Sequence, residues 1–527
     1  MNLIYPKSHP ARPPSNRSSK VVSAAEAVAL VGNGDFLAIQ GSGGGVGEPT
    51  AILRAMRERF LKDSSPRSLT LCHATGLGDK NEIGTDLLAL DGLVKRDIAG
   101  HLGMAPIMGQ MILDDRIEAY NFPQGVISHM FSAVAGRKPG VLTKVGLHTY
   151  VDPRLDGGRM NSITTESLVE VVQLADEEWL FFPRFPINVA VIRGTTADTR
   201  GNVTGEHEGS YLESNAIAQA ARANGGIVIA QVKNLARAGT LDPRQVRVPG
   251  VCVDYIVVDP QQQQHCLAEY DPSLCGDVKI PFDSLPPMPL GIRKVIGRRA
   301  AQELFPGAVV NLGVGMPDAV AAVTGENGII KEITFTVEHG LVGGQPAGGI
   351  IFGVSHCPEA MICEDEQFSF YDGGNLDLAF LGMAEADAEG NVNSSKVGNL
   401  LSGCGGFINI TQSAREVVFC GTFTAKGLDV EVGHGKLVVK REGQIRKFVQ
   451  AVNQITFSGN YARQRKQKVL FVTERAVFRL DPKGLVLTEI APGIDLKRDV
   501  IAHMDFEPHC DPDMKTMNPE LFNGAVV

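Results

Sequence analysis

Residues 307–323 read GAVVNLGVGMPDAVAAV. An apolar, β-branched run, VVNL, reaches the turn Gly313-Val314-Gly315 and passes at once into an alanine- and valine-rich segment with helical spacing. Strand, glycine turn and helix make up the unit of parallel sheets, because a parallel neighbour must be reached by a crossover packed on the sheet face. The order recurs outward, in GDFLAIQ (34–40) before PTAILRAMRERFL (49–61), and in the strand-like runs GGIVIAQVKNL (225–235) and VCVDYIVV (251–258). An α/β fold with largely parallel sheets is predicted.

The 527 residues favour two to four domains. At 43% hydrophobic, 21% charged and 59 glycines the composition is globular and rich in tight turns. A net charge of -9 gives no global basic field for nucleic acid or anionic lipid, and the single tryptophan, Trp179, is not interleaved with basic residues. Nine scattered cysteines without a CxxC pair argue against a disulfide framework and a zinc knuckle. No apolar run reaches membrane-span length, and the opening MNLIYPKSHPARPPSNRSSK lacks a secretory h-region. Cytoplasm is the expected compartment, with a transit peptide in that basic tail as the alternative.

Self-comparison divides the chain. ADTRGNV (197–203) returns as ADAEGNV (386–392), each followed by a helix and then a strand, and LAIQGSGGG (37–45) matches VVNLGVGMP (309–317). The proline-rich SLPPMP (284–289) lies between the copies, just before GIRKVIGRRAAQELF (291–305). Two pseudo-repeated open α/β domains are expected: a ragged tail at 1–19, a first half at 20–283, a linker at 284–293 and a second half at 294–527. Between the shared features the first half carries roughly 80 extra residues.

Three glycine clusters in the second half carry the chemistry. Gly313-Val314-Gly315 with Asp318 and Glu338 mimics a dinucleotide fingerprint, but Asp318 replaces the third glycine, which disfavours NAD. A helix start holding phosphate or an oxyanion, and a plain tight turn, both remain open. In ITFTVEHGLVGGQPAGG (333–349) a strand ends in Glu338-His339 and five glycines follow. A carboxylate beside donor-rich backbone is what nucleophilic attack on a carbonyl needs; a solvated glutamate in a turn is the alternative. Aligning Gly340-Leu341 with Gly146-Leu147 sets Lys144 opposite Glu338, implying one active site per chain. Asp372-Gly373-Gly374-Asn375-Leu376-Asp377, Lys396-Val397-Gly398 and Ser402-Gly403-Cys404-Gly405-Gly406 form the third cluster, where Lys396 meets either a phosphate or water. There is no GxSxG elbow or phosphate loop, His207-Glu208 lacks a second histidine, and His356, Cys357 and Cys363 are too sparse for a metal.

Over about residues 20–505 the chain resembles a fused, single-chain class I CoA-transferase of the acetate or propionate type. The marks are GVGMP (313–317), TVEHGLVGG (336–344), YDGGNLDLAFLGMAEADAEGNVN (371–393), GCGGFINITQSA (403–414), YNFPQG (120–125) and KVGLHTYVDPR (144–154). The resemblance implies a CoA-transferase-like fold and ping-pong transfer of CoA between short-chain acids such as acetate and propionate, with butyrate or acetoacetate as further candidates. It implies that Glu338 forms a glutamyl-CoA thioester and that Gly313, Val314, Gly315, Met316, Gly403, Gly405 and Gly406 face CoA. Gly343, Gly344, Asn375 and Lys396 complete the candidate CoA contacts, and Phe122 and Gln124 are the candidate acyl pocket. No role attaches to His339. No metal or redox cofactor is expected, the CoA thioester being substrate, and the resemblance suggests a homodimer or homotetramer without nucleic-acid or membrane partners. Two expectations follow: N–H donors near an ionised Glu338, and a cleft that excludes water. The competing readings are an acyl-CoA hydrolase on this scaffold and a non-catalytic sensor of CoA or a sugar phosphate, the latter disfavoured by the lack of a helix-turn-helix domain or basic patch.

Overall fold

The computed structural model describes residues 19–281, 287–326 and 328–524. All but the last residue of the expected tail lies outside them, as do residues 284–286 of the expected linker, whose final two residues open the helix Ile292–Ala301.

The first half is built on β1 (Phe36–Ile39), β2 (Leu69–His73), β3 (Val94–Ala99), β4 (Glu118–Asn121), β5 (Val189–Asp198), β6 (Ile227–Ala236) and β7 (Tyr255–Val258). They pair in the order β7-β6-β5-β1-β2-β3-β4, every pair parallel. All ten residues of the central β5, VAVIRGTTAD, are buried, as a strand covered on both faces requires. The second half uses β8 (Val309–Leu312), β9 (Thr334–Val337), β10 (Leu378–Gly382), β11 (Glu416–Cys420) and β12 (Lys468–Val472) in the order β9-β8-β10-β11-β12, again parallel. Antiparallel strands extend both edges, Leu341–Val342 beside β9 and Ala476–Asp481 beside β12.

The two sheets are copies. The order β7-β6-β5-β1-β2 maps onto β12-β11-β10-β8-β9, and the repeated heptapeptides fold alike. Asp198 Oδ1 accepts from the N–H groups of Arg200 and Asn202 at 2.9 and 3.0 Å, and Asp387 Oδ1 from those of Glu389 and Asn391 at 3.1 and 3.0 Å. Each asparagine amide returns to the other oxygen of its aspartate. A short acidic side chain tying its own turn explains why this motif survived in both copies.

This topology corrects the pairing of Lys144 with Glu338. Because β9 corresponds to β2, the counterpart of Glu338 is Ala74, the residue after β2. Lys144 instead follows Gly140–Thr143, a strand of a separate three-stranded antiparallel sheet inside the first half's insertion. Its ammonium meets Glu177 at 2.7 Å and lies 4.9 Å from the centre of the Trp179 ring. The two positions share only a strand end before Gly-Leu.

Six helices position the site: α1 (Thr50–Asp63), α2 (Gln124–Ala135), α3 (Ser214–Ala223), α4 (Asp318–Glu326), α5 (Glu364–Asp372) and α6 (Phe407–Ser413). α2 packs on α3 within its own half and on α5 across the halves. The closeness of that crossing depends on Gly125, where an added methyl would stand 2.5 Å from Asn409 Nδ2 and 2.6 Å from the Phe368 ring. Backbone bonds also stitch the halves: Leu102 N–H to Ser402 O at 2.7 Å, Gly405 N–H to Gly100 O at 2.7 Å and Tyr150 N–H to Ile455 O at 2.8 Å.

Candidate active site

Glu338 follows β9 directly, at the carboxyl edge of the second sheet, where doubly wound folds bind ligands. Glu338 is 8% exposed. Asn311, buried inside β8, offers Nδ2 to Glu338 Oε2 at 3.4 Å and to Tyr371 Oη at 3.3 Å, and Tyr371 Oη donates to Thr336 Oγ1 at 2.9 Å. Burial and the charge of Glu338 push the Tyr371 hydroxyl well above the usual phenol range. The N–H donor expected near Glu338 is thus a side-chain amide, that of Asn311. An asparagine inside an apolar strand, VVNL, is the signal that could have found it.

The turn after Glu338 is sterically fixed. Gly340 has φ +95°, and a Cβ there would lie 2.1 Å from Ile362 O, so only glycine fits. His339 Nδ1 lies 3.0 Å from Gly353 O and 3.5 Å from Ser42 Oγ, and Ser210 Oγ donates to His339 O at 2.5 Å. His339 thus joins the second half to the first.

The glycine clusters divide. Gly405 and Gly406 reach the site: an added Cβ on Gly406 would stand 3.5 Å from Glu338 Cγ, and one on Gly405 3.6 Å from Gln124 Oε1. Gly403 instead makes room for Asn121, whose Nδ2 would lie 2.7 Å from an added methyl. Gly313, Val314, Gly315 and Met316 form the turn from β8 into α4, on the same sheet edge as Glu338, with Val314 exposed. Gly343 and Gly344 serve packing, since side chains there would strike Glu359 and the His356–Cys357 backbone. Asn375 is not at the site. It follows α5 and precedes β10, at the amino edge of the sheet, and its amide donates to Phe370 O at 3.0 Å. Lys396 donates to Met160 O at 3.2 Å and lines a separate cavity of about 550 Å³ with Arg159, Asn161 and Asn453.

The acyl-pocket pair also separates. Phe122 is fully buried in the first half's core, its ring 5.2 Å from that of Phe182, so it does not line the cleft. Gln124 does lie between the halves: its N–H donates to Gly405 O at 2.9 Å and its Nε2 to Glu364 Oε1 at 3.1 Å. Ser128 Oγ donates to the same oxygen at 2.7 Å. Burial pushes Glu364 up to about 7, helped by Glu338 and opposed by His339, Ser128 and Gln124. The first half contributes two loops that sequence reasoning left unassigned as site elements. The turn after β1 sets Ser42 beside His339 and Gly44 against Ile350 O, where a Cβ would be 2.9 Å away. The turn after β3 brings His101 to Gly405, where an added Cβ would lie 3.8 Å from the imidazole. Both follow strands, which is the signal that placed them at the carboxyl edge.

Comparison with known proteins fits this geometry. The profile of the Coenzyme A transferase family matches residues 21–259. The caffeate CoA-transferase of Acetobacterium woodii is 45% identical over 513 residues, spanning 96% of this chain and 98% of that protein. The chain belongs to the CoA-transferase family. The acetate CoA-transferase YdiF of Escherichia coli strain K12 is 40% identical over 98% of each chain. A crystal structure of YdiF from E. coli O157:H7, a thioester complex with CoA, superimposes with a TM-score of 0.93 at 39% identity over 98% of each chain. The CoA-transferase described here is accordingly an enzyme with the α/β fold read from its sequence. Among the described residues no helix is long and apolar enough to cross a membrane, and no group of three or more His, Cys, Asp or Glu is placed to hold a metal ion.

Proposed function

We propose that this CoA-transferase moves CoA between short-chain carboxylic acids through a glutamyl-CoA thioester on Glu338. The observation that carries the reading is a near-buried carboxylate at a strand end, held by Asn311 and enclosed by loops of both halves. That a 39% identical relative was crystallised as a thioester complex with CoA supports it.

A Glu338 oxygen attacks the acyl-CoA carbonyl, the C–S bond breaks, and CoA leaves as thiolate with a mixed anhydride on the enzyme. The thiolate then attacks the Glu338 carbonyl carbon, the anhydride C–O bond breaks, and the first acid departs as its carboxylate. A second carboxylate reverses both steps. No proton, metal or electron carrier enters the balance. The chain's contribution is to hold Glu338, to exclude water from the anhydride and thioester, and to orient the acyl group between the halves. A cavity of about 990 Å³ in the first half touches the glycine loop at Gly45 and Glu48, but it is lined by Glu58, Asp63, Asp79, Glu82 and Asp259 beside Arg54, Arg59 and Lys62, so it offers no net positive charge to the nucleotide end of CoA.

The test is acetyl-CoA with propionate as acceptor, following thiol release and propionyl-CoA together. Propionyl-CoA without net thiol supports transfer; thiol without propionyl-CoA makes the enzyme a hydrolase; neither product, with CoA still binding, leaves a sensor.

A further inference from the structure

His101 lies just beyond the carboxyl end of β3, in the turn that meets the Ser402–Gly405 segment of the second half. Glycines enclose its ring. An added Cβ on Gly76 would be 2.4 Å from Nδ1, one on Gly103 3.1 Å from Cε1, and one on Gly405 3.8 Å from Cδ2. The next residue, Gly406, is the one whose Cβ would stand 3.5 Å from Glu338 Cγ, so two consecutive residues touch the imidazole and the reacting carboxylate.

The polar atoms around it are engaged. His73 bonds Asp97 at 3.1 Å through Nε2, and His339 bonds Gly353 O at 3.0 Å. Neither ring nitrogen of His101 has a hydrogen-bond partner among the described residues. Burial, with Lys80, His73 and His339 nearby, pushes the ring down to about 4, so at neutral pH it is an uncharged imidazole with one N–H and one lone pair. His101 is half-buried, so a ring nitrogen without a protein partner is open to a ligand oxygen.

We infer that His101 contacts substrate, its ring N–H donating to a carboxylate oxygen of the acid that enters against Glu338. Carboxylates and acyl carbonyls present acceptors only, so the N–H is the atom that can hold them, and a neutral donor does so without competing for the charge of Glu338. The assignment rests on the transferase reading and deepens it.

The test compares wild type, His101→Phe and His101→Gln with acetyl-CoA as donor and acetate or propionate as acceptor. Phe keeps the ring's bulk without a donor; Gln keeps a donor. The Phe variant should raise the KM for the acceptor by tenfold or more while still forming the Glu338 adduct, and Gln should restore most of the loss. Diethyl pyrocarbonate labelling of wild-type His101, mapped by mass, should be suppressed by saturating acetate, which keeps the test open even if the Phe variant fails to fold. An acceptor KM within twofold of wild type in a folded Phe variant, or acetate-independent labelling in wild type, overturns the assignment of His101 alone. Absence of any adduct in wild type overturns the transferase reading itself.

Discussion

Replacing Glu338 with Gln keeps the volume of the side chain and its contact with Asn311 but removes the anionic oxygen that must attack the thioester. Transfer should fall by about 10⁴-fold or more, because removing a nucleophile removes the covalent path itself. Steady-state transfer from acetyl-CoA to propionate measures it, with an unchanged melting temperature showing that the fold is intact. Glu364 gives a second residue-scale prediction, of opposite kind. Its carboxyl, raised to about 7 in the fold by burial, sits near 4.3 in an unfolded chain. Between those values the folded state binds the extra proton, so stability is fully present below about pH 4.3 and is lost as pH rises through about 7. Glu48, also pushed up to about 7, acts in the same direction. Glu364→Gln should therefore melt higher than wild type at pH 8 and show a shallower fall between pH 5 and 8. Equal slopes in the two proteins would mean that Glu364 is ionised throughout.

The elements that matter are turns following parallel strands. Gly340→Ala should be severe: at φ +95° a Cβ would meet Ile362 O at 2.1 Å, so the turn that aims Glu338 must open. A loss of ~2–3 kcal/mol is expected in urea unfolding, together with loss of transfer. Gly406→Ala is milder. Its backbone is already right-handed helical, and the new methyl would meet Ile410 at 3.1 Å, Phe368 at 3.3 Å and Glu338 Cγ at 3.5 Å. Stability should change by under ~1 kcal/mol while transfer slows about tenfold, since small displacements of a reacting group are amplified in rate. The same distinction between turns explains what was legible. Glycines after a parallel strand, as in GVGMP, lie at the reacting edge, whereas Gly405 comes within reach of it from a separate hairpin, after the short strand Leu400–Leu401; Asn375 follows a helix and so lies at the opposite edge. Glycine content alone cannot tell those ends apart, nor can it tell that Gly343 and Gly344 were needed for close chain packing. His101 and Ser42 follow strands too, and the edge rule would have found them without any motif.

At the scale of the molecule, the repeated turn motifs and the strand–turn–helix order were enough to foresee two related parallel sheets, because each copy must satisfy the same hydrogen bonds locally. The register of the copies was not legible. It is fixed by strand order, which no local pattern reports, so matching Gly-Leu pairs sets Lys144 against Glu338 where Ala74 belongs. A cleft between the halves was foreseen, but the contacts that close it were not, since Gln124, Glu364 and Gly405 come from three separate segments. The crossing at Gly125 holds them together, so Gly125→Val should separate α2 from α5 and lower transfer more than it lowers the stability of either half, as judged by domain-resolved hydrogen exchange. Initial rates at several fixed donor concentrations should give parallel double-reciprocal lines, the mark of a first product leaving before the second substrate binds. The central claim, a covalent carrier on Glu338, is tested most directly by intact mass after mixing the enzyme with acetyl-CoA and no acceptor, followed by borohydride reduction and peptide mapping. A CoA adduct on Glu338, absent from Glu338→Ala and discharged by acetate or propionate, is the predicted result; no adduct with several short acyl-CoAs, while CoA still binds, would contradict it.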